Sequence, residues 1–561
     1  MSDKDSIQVL ADLNTRESQI EELIRRQWWV SVPLTTFPAS MLLGGEQRLD
    51  AGSYASESFR ALVALRKSGL RSIPLSEMVT NIDYPGRFKR IYATSKKAGT
   101  PFLTASKALH FRPSSDYFLA KSSPSYESCF VDEGVLLLTR SGTVGRPIIV
   151  TSHLSQFALS DDLIRIYPGE APVGYIYAYL STWLGQALIS KDQYGSAIKH
   201  LEPHHIKNIP TPLADQETQL AIHARIMAAF QLREDANALL DEGDSLLYEL
   251  LGLPKFDAGL VDHYQSEGEG DSLIPAVKSF VLNVKGLNER LDASYHVPGA
   301  RTAVKLVKKS PYKAVQLGDM VDQVYIPPRF KRIYVPEEFG IPLLQGSHIP
   351  QFAPADLKFI SKSETKGLDR WLIRKGWVLV TCSGTIGRIG LVTHAQDGWA
   401  ASQHLLRILP REGFSHPGYI AAFLTTPYGQ HQLTSKIYGA VVDELTEADT
   451  EAVWIPNAPY DIQEQIGDKV MEAYEKKEQA NQLEEKAIRQ LEMIIGGKAV
   501  EITNEPETPE PEQDTEQIEW GFEPALGYEI EPELTQLEFE DFLTRLSVPR
   551  EDESDPEKKG T

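Results

Sequence analysis

Two short blocks of cations and aromatics carry the clearest chemistry in this chain. Arg87-Phe88-Lys89-Arg90-Ile91-Tyr92 returns unchanged as Arg329-Phe330-Lys331-Arg332-Ile333-Tyr334. Guanidinium groups can grip a phosphate, or the O6/N7 edge of guanine, with two parallel hydrogen bonds, and aromatic neighbours stiffen the platform beneath them. The bland alternative is a basic surface strand over a buried Phe and Tyr. The expectation is that the aromatics enter the core and some of the cations meet phosphate. A second pair of blocks, Ser141-Gly142-Thr143-Val144-Gly145-Arg146 and Ser383-Gly384-Thr385-Ile386-Gly387-Arg388, reads as a tight turn between two strands. Its glycines serve backbone geometry. Thr143, Arg146, Thr385 and Arg388 are candidate contacts to a nucleic-acid backbone or base. A third shared turn, Tyr194-Gly195-Ser196 and Tyr438-Gly439-Ala440, is followed by Lys199 in one place and by Asp443 and Glu444 in the other. Lys199 joins the candidates.

Reactive chemistry is missing from the same inspection. No Gly-x-Gly-x-x-Gly turn or phosphate-cradling loop follows a strand, so the chain is expected to hold no nucleotide cofactor. An adenine methyltransferase needs an Asn/Asp-Pro-Pro-aromatic loop. Ile326-Pro327-Pro328-Arg329 is the nearest match and lacks both polar and aromatic ends. His204-His205 invites a metal or acid–base reading, but its setting reads as a strand entry and no counterpart pair lies near Trp454-Ile455-Pro456. Metal-ligand spacing is absent. Neither Cys129 nor Cys382 falls in a shared motif, which fits a reducing cytoplasm. The expectation is a non-catalytic protein without metal or cofactor.

What positions these blocks is a duplication. The first two pairs of blocks are each 242 residues apart, and Arg48-Leu49-Asp50-Ala51 returns as Arg290-Leu291-Asp292-Ala293 at the same offset. One unit is written twice, so two similar sites at a fixed separation are expected, the geometry of a reader of two-part targets. β-rich runs (134–139 and 376–381) lead into the Ser-Gly-Thr blocks, strands 147–151 and 389–393 follow, and helices lie near 175–188 and 419–433. Each unit should be a compact α/β or α+β globule. Residues 215–251 and 461–495 carry apolar side chains at alternating three and four spacings and stop at Gly252 and Gly496, a pattern for left-handed C-terminal caps. Two such helices in one chain predict an intramolecular coiled coil, each arm roughly 50–55 Å long.

The expected organisation is an N-terminal extension (1–47, with an amphipathic helix over 18–28), a first unit (48–214), a long helix (215–252), a linker (253–289), a second unit (290–460), a second long helix (461–497) and an acidic, largely disordered tail (498–561). Residues 534–543 within that tail read as a short acidic helix. The net charge is −21, but residues 501–561 hold 20 acidic and 4 basic residues, which leaves −5 for the first 500. Residues 81–121 carry 8 Lys/Arg against 2 Asp/Glu. Local positive surface governs phosphate binding, so an acidic tail does not exclude nucleic acid. No apolar run approaches the ~20 residues that span a bilayer, and no secretion signal is evident.

In this order, twice over, the motifs resemble the specificity subunit of Type I restriction-modification systems. The carrying segments are the opening Arg-Leu-Asp-Ala, Ser383–Gly387, Ala401-Ser402-Gln403-His404-Leu405-Leu406-Arg407-Ile408, Gly195–Leu201, and Ile206–Leu213 running into a long helix. The resemblance covers about residues 48–497. It implies two target recognition domains that each read half of a bipartite duplex DNA site, and it adds Gln403 and His404 to the DNA-contact candidates. It also implies that the two long helices form an antiparallel coiled coil, a helical ruler, and that this chain carries no catalysis. Partner methyltransferase subunits would modify adenine, a restriction/translocase subunit being a further partner in systems that cleave. The setting is host DNA modification and phage defence in the cytoplasm, at the nucleoid. The extension and the tail depart from the family pattern, which leaves an alternative: a scaffold or DNA-mimicking inhibitor in another phage-defence assembly.

Overall fold

The computed structural model describes residues 57–93, 98–115, 117–142, 144–191, 200–256, 264–265, 278–283, 287, 290–438 and 443–496. Both long helices and most of each globular unit fall within this set. The 18–28 helix, the first Arg-Leu-Asp-Ala, Tyr194-Gly195-Ser196, most of the linker and the acidic tail lie outside it.

The two units share one topology. In the first, an antiparallel sheet runs Val79–Asp83, Leu163–Pro168, Leu136–Thr139, Pro147–Ile149 in spatial order. In the second it runs Val321–Tyr325, Leu405–Pro410, Val378–Thr381, Ile389–Leu391. Even the irregularity is copied: register slips between Val79 and Asn81, and again between Val321 and Gln323. A smaller mixed sheet follows the same rule, with Tyr92–Ala93, Phe118–Ala120, Gly99–Leu103 and Ala158–Leu159 answered by Tyr334–Val335, Lys358–Ser361, Gly340–Leu344 and Ala400–Ala401. The strands Leu136–Thr139 and Val378–Thr381 are buried on both faces, which explains their unbroken apolar sequence.

Each unit packs two short helices on its main sheet. The helices expected near 175–188 and 419–433 are each broken once, giving Val173–Ser181 with Trp183–Lys191, and Pro417–Thr425 with Pro427–Ser435. The break is chemical. Thr182 and Thr426 adopt extended backbone, and each hydroxyl accepts the amide three residues on, from Gly185 and Gly429. Buried Tyr175 and Tyr419 then donate to the carbonyls of Pro212 and Pro456 at 2.7 and 2.6 Å, which ties helix to edge strand in both units. His204-His205 proves to lie in a short helix, Pro203–Lys207, and not at a strand entry, because Glu202 and His205 close a reciprocal capping box.

The long helices are Gln216–Leu250 and Tyr460–Ile495. They run antiparallel. Going up the first, Arg225, Arg233, Asp235 and Glu242 meet Gln490, Glu484, Lys476 and Lys469 going down the second. Their buried residues repeat at an offset of 244: Ile222 and Ile466, Ile226 and Val470, Ala229 and Ala473, Ala236 and Ala480, Leu247 and Leu491. The two core clusters interlock with this pair. The first unit's core takes Ile222, Ile226 and Phe230 from the start of one helix and Ala487, Leu491 and Ile495 from the end of the other. The second unit's core takes Leu247 and Leu251 with Ile466 and Val470. The units therefore sit at opposite ends of the pair. Of the two expected glycine caps, Gly252 is left-handed (φ 59°) but Gly496 stays right-handed (φ −71°).

Candidate nucleic-acid interface

The repeated cationic blocks join the main sheet to the smaller one. Arg87, Lys89, Arg329 and Lys331 are exposed. Phe88 and Phe330 tuck inward, against Phe102, Leu119 and Cys129 in one unit and Leu343, Ile360 and Ala400 in the other. The tyrosines do not follow them. Tyr92 and Tyr334 are 45% and 47% exposed, against the expectation that the aromatics would be core. Each lies on a two-residue edge strand whose outer face meets solvent, where Tyr92 leans on Tyr117 (5.2 Å) and Lys358 Nζ sits over Tyr334 (5.2 Å).

The third cation of each block is engaged within its own unit, and here the repeats diverge. Arg90 forms an ion pair with Asp161, approaches Asp162 at 3.4 Å and donates to Ser160 Oγ at 3.2 Å. Burial works against its charge, but Asp161 outweighs that and leaves its pKa above the ordinary arginine value. Arg332 has a neutral grip: it donates to Ser402 Oγ at 3.3 Å and to Gln403 Oε1 at 2.8 Å. Ser160-Asp161-Asp162 and Ser402-Gln403-His404 occupy equivalent positions, 242 residues apart.

Around Gln403 the second unit forms a cleft of about 370 Å³ lined by Arg329, Ser383, Gln403, His404, Tyr438 and Glu444 among others. Gln403 Nε2 lies 3.0 Å from His404 Nε2. An amide N–H donating there requires a neutral imidazole with its proton on Nδ1. Burial, then the nearby Arg332 and Arg329, hold the His404 pKa below the usual histidine range, which favours that neutral form. Arg407, fully buried, donates to the carbonyls of Ala401 (2.6 Å) and Ser402 (2.8 Å), so the loop carrying Gln403 and His404 is clamped from beneath. In the first unit the matching surface holds Ser141, whose hydroxyl donates to Asp162 Oδ1 (2.9 Å) and lies 3.1 Å from His200 Nδ1, with Arg140 bound to Glu202. Reasoning from sequence missed Asp161, Asp162, Ser141 and Glu444. For Asp161 and Asp162 the signal was the serine shared by Ser160 and Ser402 at the 242 offset with unlike neighbours; Ser141 and Glu444 stand in or beside the shared turns, where nothing marks a role for them.

The Ser-Gly-Thr turns lead elsewhere. Thr139 and Thr381 hydroxyls accept the amides of Arg146 and Arg388 at 2.9 and 3.0 Å, and Gln186 and Gln430 donate to the Gly145 and Gly387 carbonyls at 2.7 and 2.8 Å. Gly145 and Gly387 both have φ 84°, and a Cβ at either would fall within 3 Å of Ile189 or Gln430. These glycines fix geometry, as expected. Thr385 is exposed at the turn. Arg146, however, points across to the other unit and pairs with Asp356 at 2.7 Å, while Arg388 lies near His110, whose pKa burial lowers first and the charges of Arg388 and Lys107 lower further. The structure thus gathers Arg329, Arg332, Gln403 and His404 in one unit, sets Arg87, Lys89 and Arg90 in the other, and turns Arg146 and Arg388 to the junction between them. Thr143 and Lys199 lie outside the described residues. Arg290 of the second Arg-Leu-Asp-Ala is structural: it pairs with Asp292 (2.7 Å) and donates to the Ile437 carbonyl (3.3 Å). Among the described residues no group of acids, histidines and cysteines is placed to hold a metal, and no helix is long and apolar enough to cross a membrane.

No family model matches the chain, and no curated protein does. Solved structures similar to it include an HsdS subunit from Thermoanaerobacter tengcongensis, at 14% identity over 76% of this chain and 95% of that one, TM-score 0.25. Another is a Type-I restriction-modification S subunit from M. genitalium, at 11% identity over 78% and 98%, TM-score 0.31. A third comes from work on complex assembly and conformational transition of the type I R-M system, at 14% identity over 76% and 97%, TM-score 0.24.

Proposed function

We propose that this chain is a non-catalytic DNA sequence-specificity subunit. Its two units (48–214 and 290–460) serve as target recognition domains that each read half of a bipartite duplex site. The antiparallel helices set the distance between the halves. It recruits adenine methyltransferase subunits, and a restriction/translocase subunit where the system cleaves, for host DNA modification and phage defence at the nucleoid. The observation that carries this reading is one topology presenting different side chains at one position, Ser160-Asp161-Asp162 against Ser402-Gln403-His404. A duplicated scaffold with divergent surface loops suits two readers of different sequences. Exposed Arg87, Lys89, Arg329 and Lys331 supply sequence-independent phosphate contacts, which position a protein on a duplex without specifying it. Each long helix spans roughly 50 Å, enough to carry two contacts one DNA turn apart, about 34 Å. Methylome sequencing of a host with and without the gene tests this. One bipartite adenine-methylation motif should vanish with the gene. An unchanged methylome would overturn it, as would purified chain that selects no sequence from random duplex DNA.

A further inference from the structure

Resting on that reading, we propose that the two residues after the repeated serine set the base chemistry of each half-site. Gln403-His404 takes the acceptor edge of a guanine, and Asp162 takes the exocyclic amine of cytosine or adenine. The two surfaces differ in what they can donate or accept. In the second unit, Arg332 holds Gln403 by its amide oxygen, so the amide nitrogen faces outward towards His404. Neutral His404 keeps a donor on Nδ1, and Arg329 lines the same cleft with a guanidinium. Two carboxylates also line the cleft, but Glu444 accepts from the Tyr438 hydroxyl (3.3 Å) and Glu447 from the Ile326 amide (3.0 Å). That leaves three donors to match the paired O6 and N7 acceptors that guanine alone presents in the major groove. Arg407 beneath the loop limits its freedom, so the donors are presented in a fixed arrangement.

The first unit has the opposite character. Asp161 is buried and spent on Arg90. Asp162 remains about one-third exposed, with Ser141 on its Oδ1, Arg140 3.8 Å from Oδ1 and Arg90 3.4 Å from Oδ2, so its free lone pairs and not its net charge face outward. A carboxylate facing a groove repels acceptor edges and accepts from cytosine N4 or adenine N6. Nothing in the backbone dictates this difference, because the strands and registers that carry the two loops are the same. Side-chain identity alone separates the two preferences.

The experiment is selection of binding sites from a random duplex pool by the full-length chain, comparing wild type with His404→Ala, Gln403→Glu and Asp162→Asn. His404→Ala and Gln403→Glu should relax a guanine position in one half by about tenfold or more and leave the other half intact. Asp162→Asn should alter a single position, a cytosine or an adenine's pairing column, in the opposite half. The retained half reports that each variant is folded. Should wild type select a bipartite motif that these variants leave unaltered, or should the affected positions prove to be other bases, this inference fails while the functional reading stands. Should wild type select no motif, the functional reading itself fails.

Discussion

Phe111 and Phe352 meet edge to face, with centroids 5.3 Å apart and planes at 68°. They are the same residue of the two repeats, 241 positions apart. A residue can touch its own repeat-mate only where a two-fold axis passes between them. The backbone agrees: Phe111 donates its amide to the Pro350 carbonyl and Phe352 to the Leu109 carbonyl, two bonds that are images of each other. The helix pair crosses at the same place, with Phe111 also against Tyr474 of the second helix. The units are thus joined by the helices and also by a direct clasp at the axis, to which Arg146–Asp356 adds a charge pair, while Arg112 pairs with Asp241 of the first long helix.

Removing the clasp should cost stability cooperatively. Phe111 is 5% exposed, so Phe111→Ala should destabilise by roughly 3–5 kcal/mol. Phe352 is half-buried and its truncation should cost less. The double variant should fall short of additivity by about 0.5–1.5 kcal/mol, the coupling of an aromatic pair. Denaturant unfolding of both singles and the double measures it, and strictly additive effects would show that the rings are not coupled.

Lys477 should confer a pH-dependent liability. It lies on the second helix beside the axis, 9% exposed, with its ammonium over the Phe111 and Tyr474 rings. Burial first, and Arg233 second, push its pKa down to about 7. Below pH 7 the amine is charged both folded and unfolded, so the full cost of burying the charge is present. Between pH 7 and the ordinary lysine range only the unfolded chain keeps the proton, and stability rises with pH. Lys477→Met should therefore stabilise by on the order of 1–4 kcal/mol below pH 7. The gain should shrink towards pH 10. Melting temperatures of the pair of proteins across that range decide it, and a gain independent of pH would contradict the assigned cause.

If the helix pair sets the spacing between half-sites, both arms must be lengthened at once to change it. One heptad inserted after Glu234 and another after Glu478 would move the units apart by about 10 Å, near three base pairs. The selected spacer should grow by that amount while both half-sites persist, and the Phe111–Phe352 contact should be lost with some stability. A heptad in one helix alone should misalign Arg233 with Glu484 and Lys469 with Glu242, and lower the melting temperature. An unchanged spacer in the double insertion would count against a ruler.

The outward cations should affect affinity and not sequence. Replacing Arg87 and Lys89, or Arg329 and Lys331, with alanine should weaken binding evenly across DNA sequences. If both cations of a pair meet phosphate, the slope of log K against log salt should fall by about 2. Titrations at several salt concentrations would reveal it. An undiminished slope would place these groups away from the duplex.

Much of this architecture is legible in the chain itself, because duplication and periodicity are local properties. Identical blocks at one offset announce two like units, and a three-four apolar rhythm over 35 residues can only be a long helix with a buried stripe. That the two helices pair follows once both must bury that stripe, but their antiparallel sense is fixed by the contacts, from Arg225–Gln490 to Glu242–Lys469. What sequence could not supply depends on contacts between distant residues. The meeting of Phe111 with Phe352 and the reach of Arg146 to Asp356 arise only when chain segments more than 200 residues apart are brought together. Arg90 reads as a free cation until Asp161 arrives beside it, and Tyr92 reads as core until its strand proves to be a two-residue edge. Residue type sets what a side chain can do, and the partners brought by folding decide what remains available at the surface.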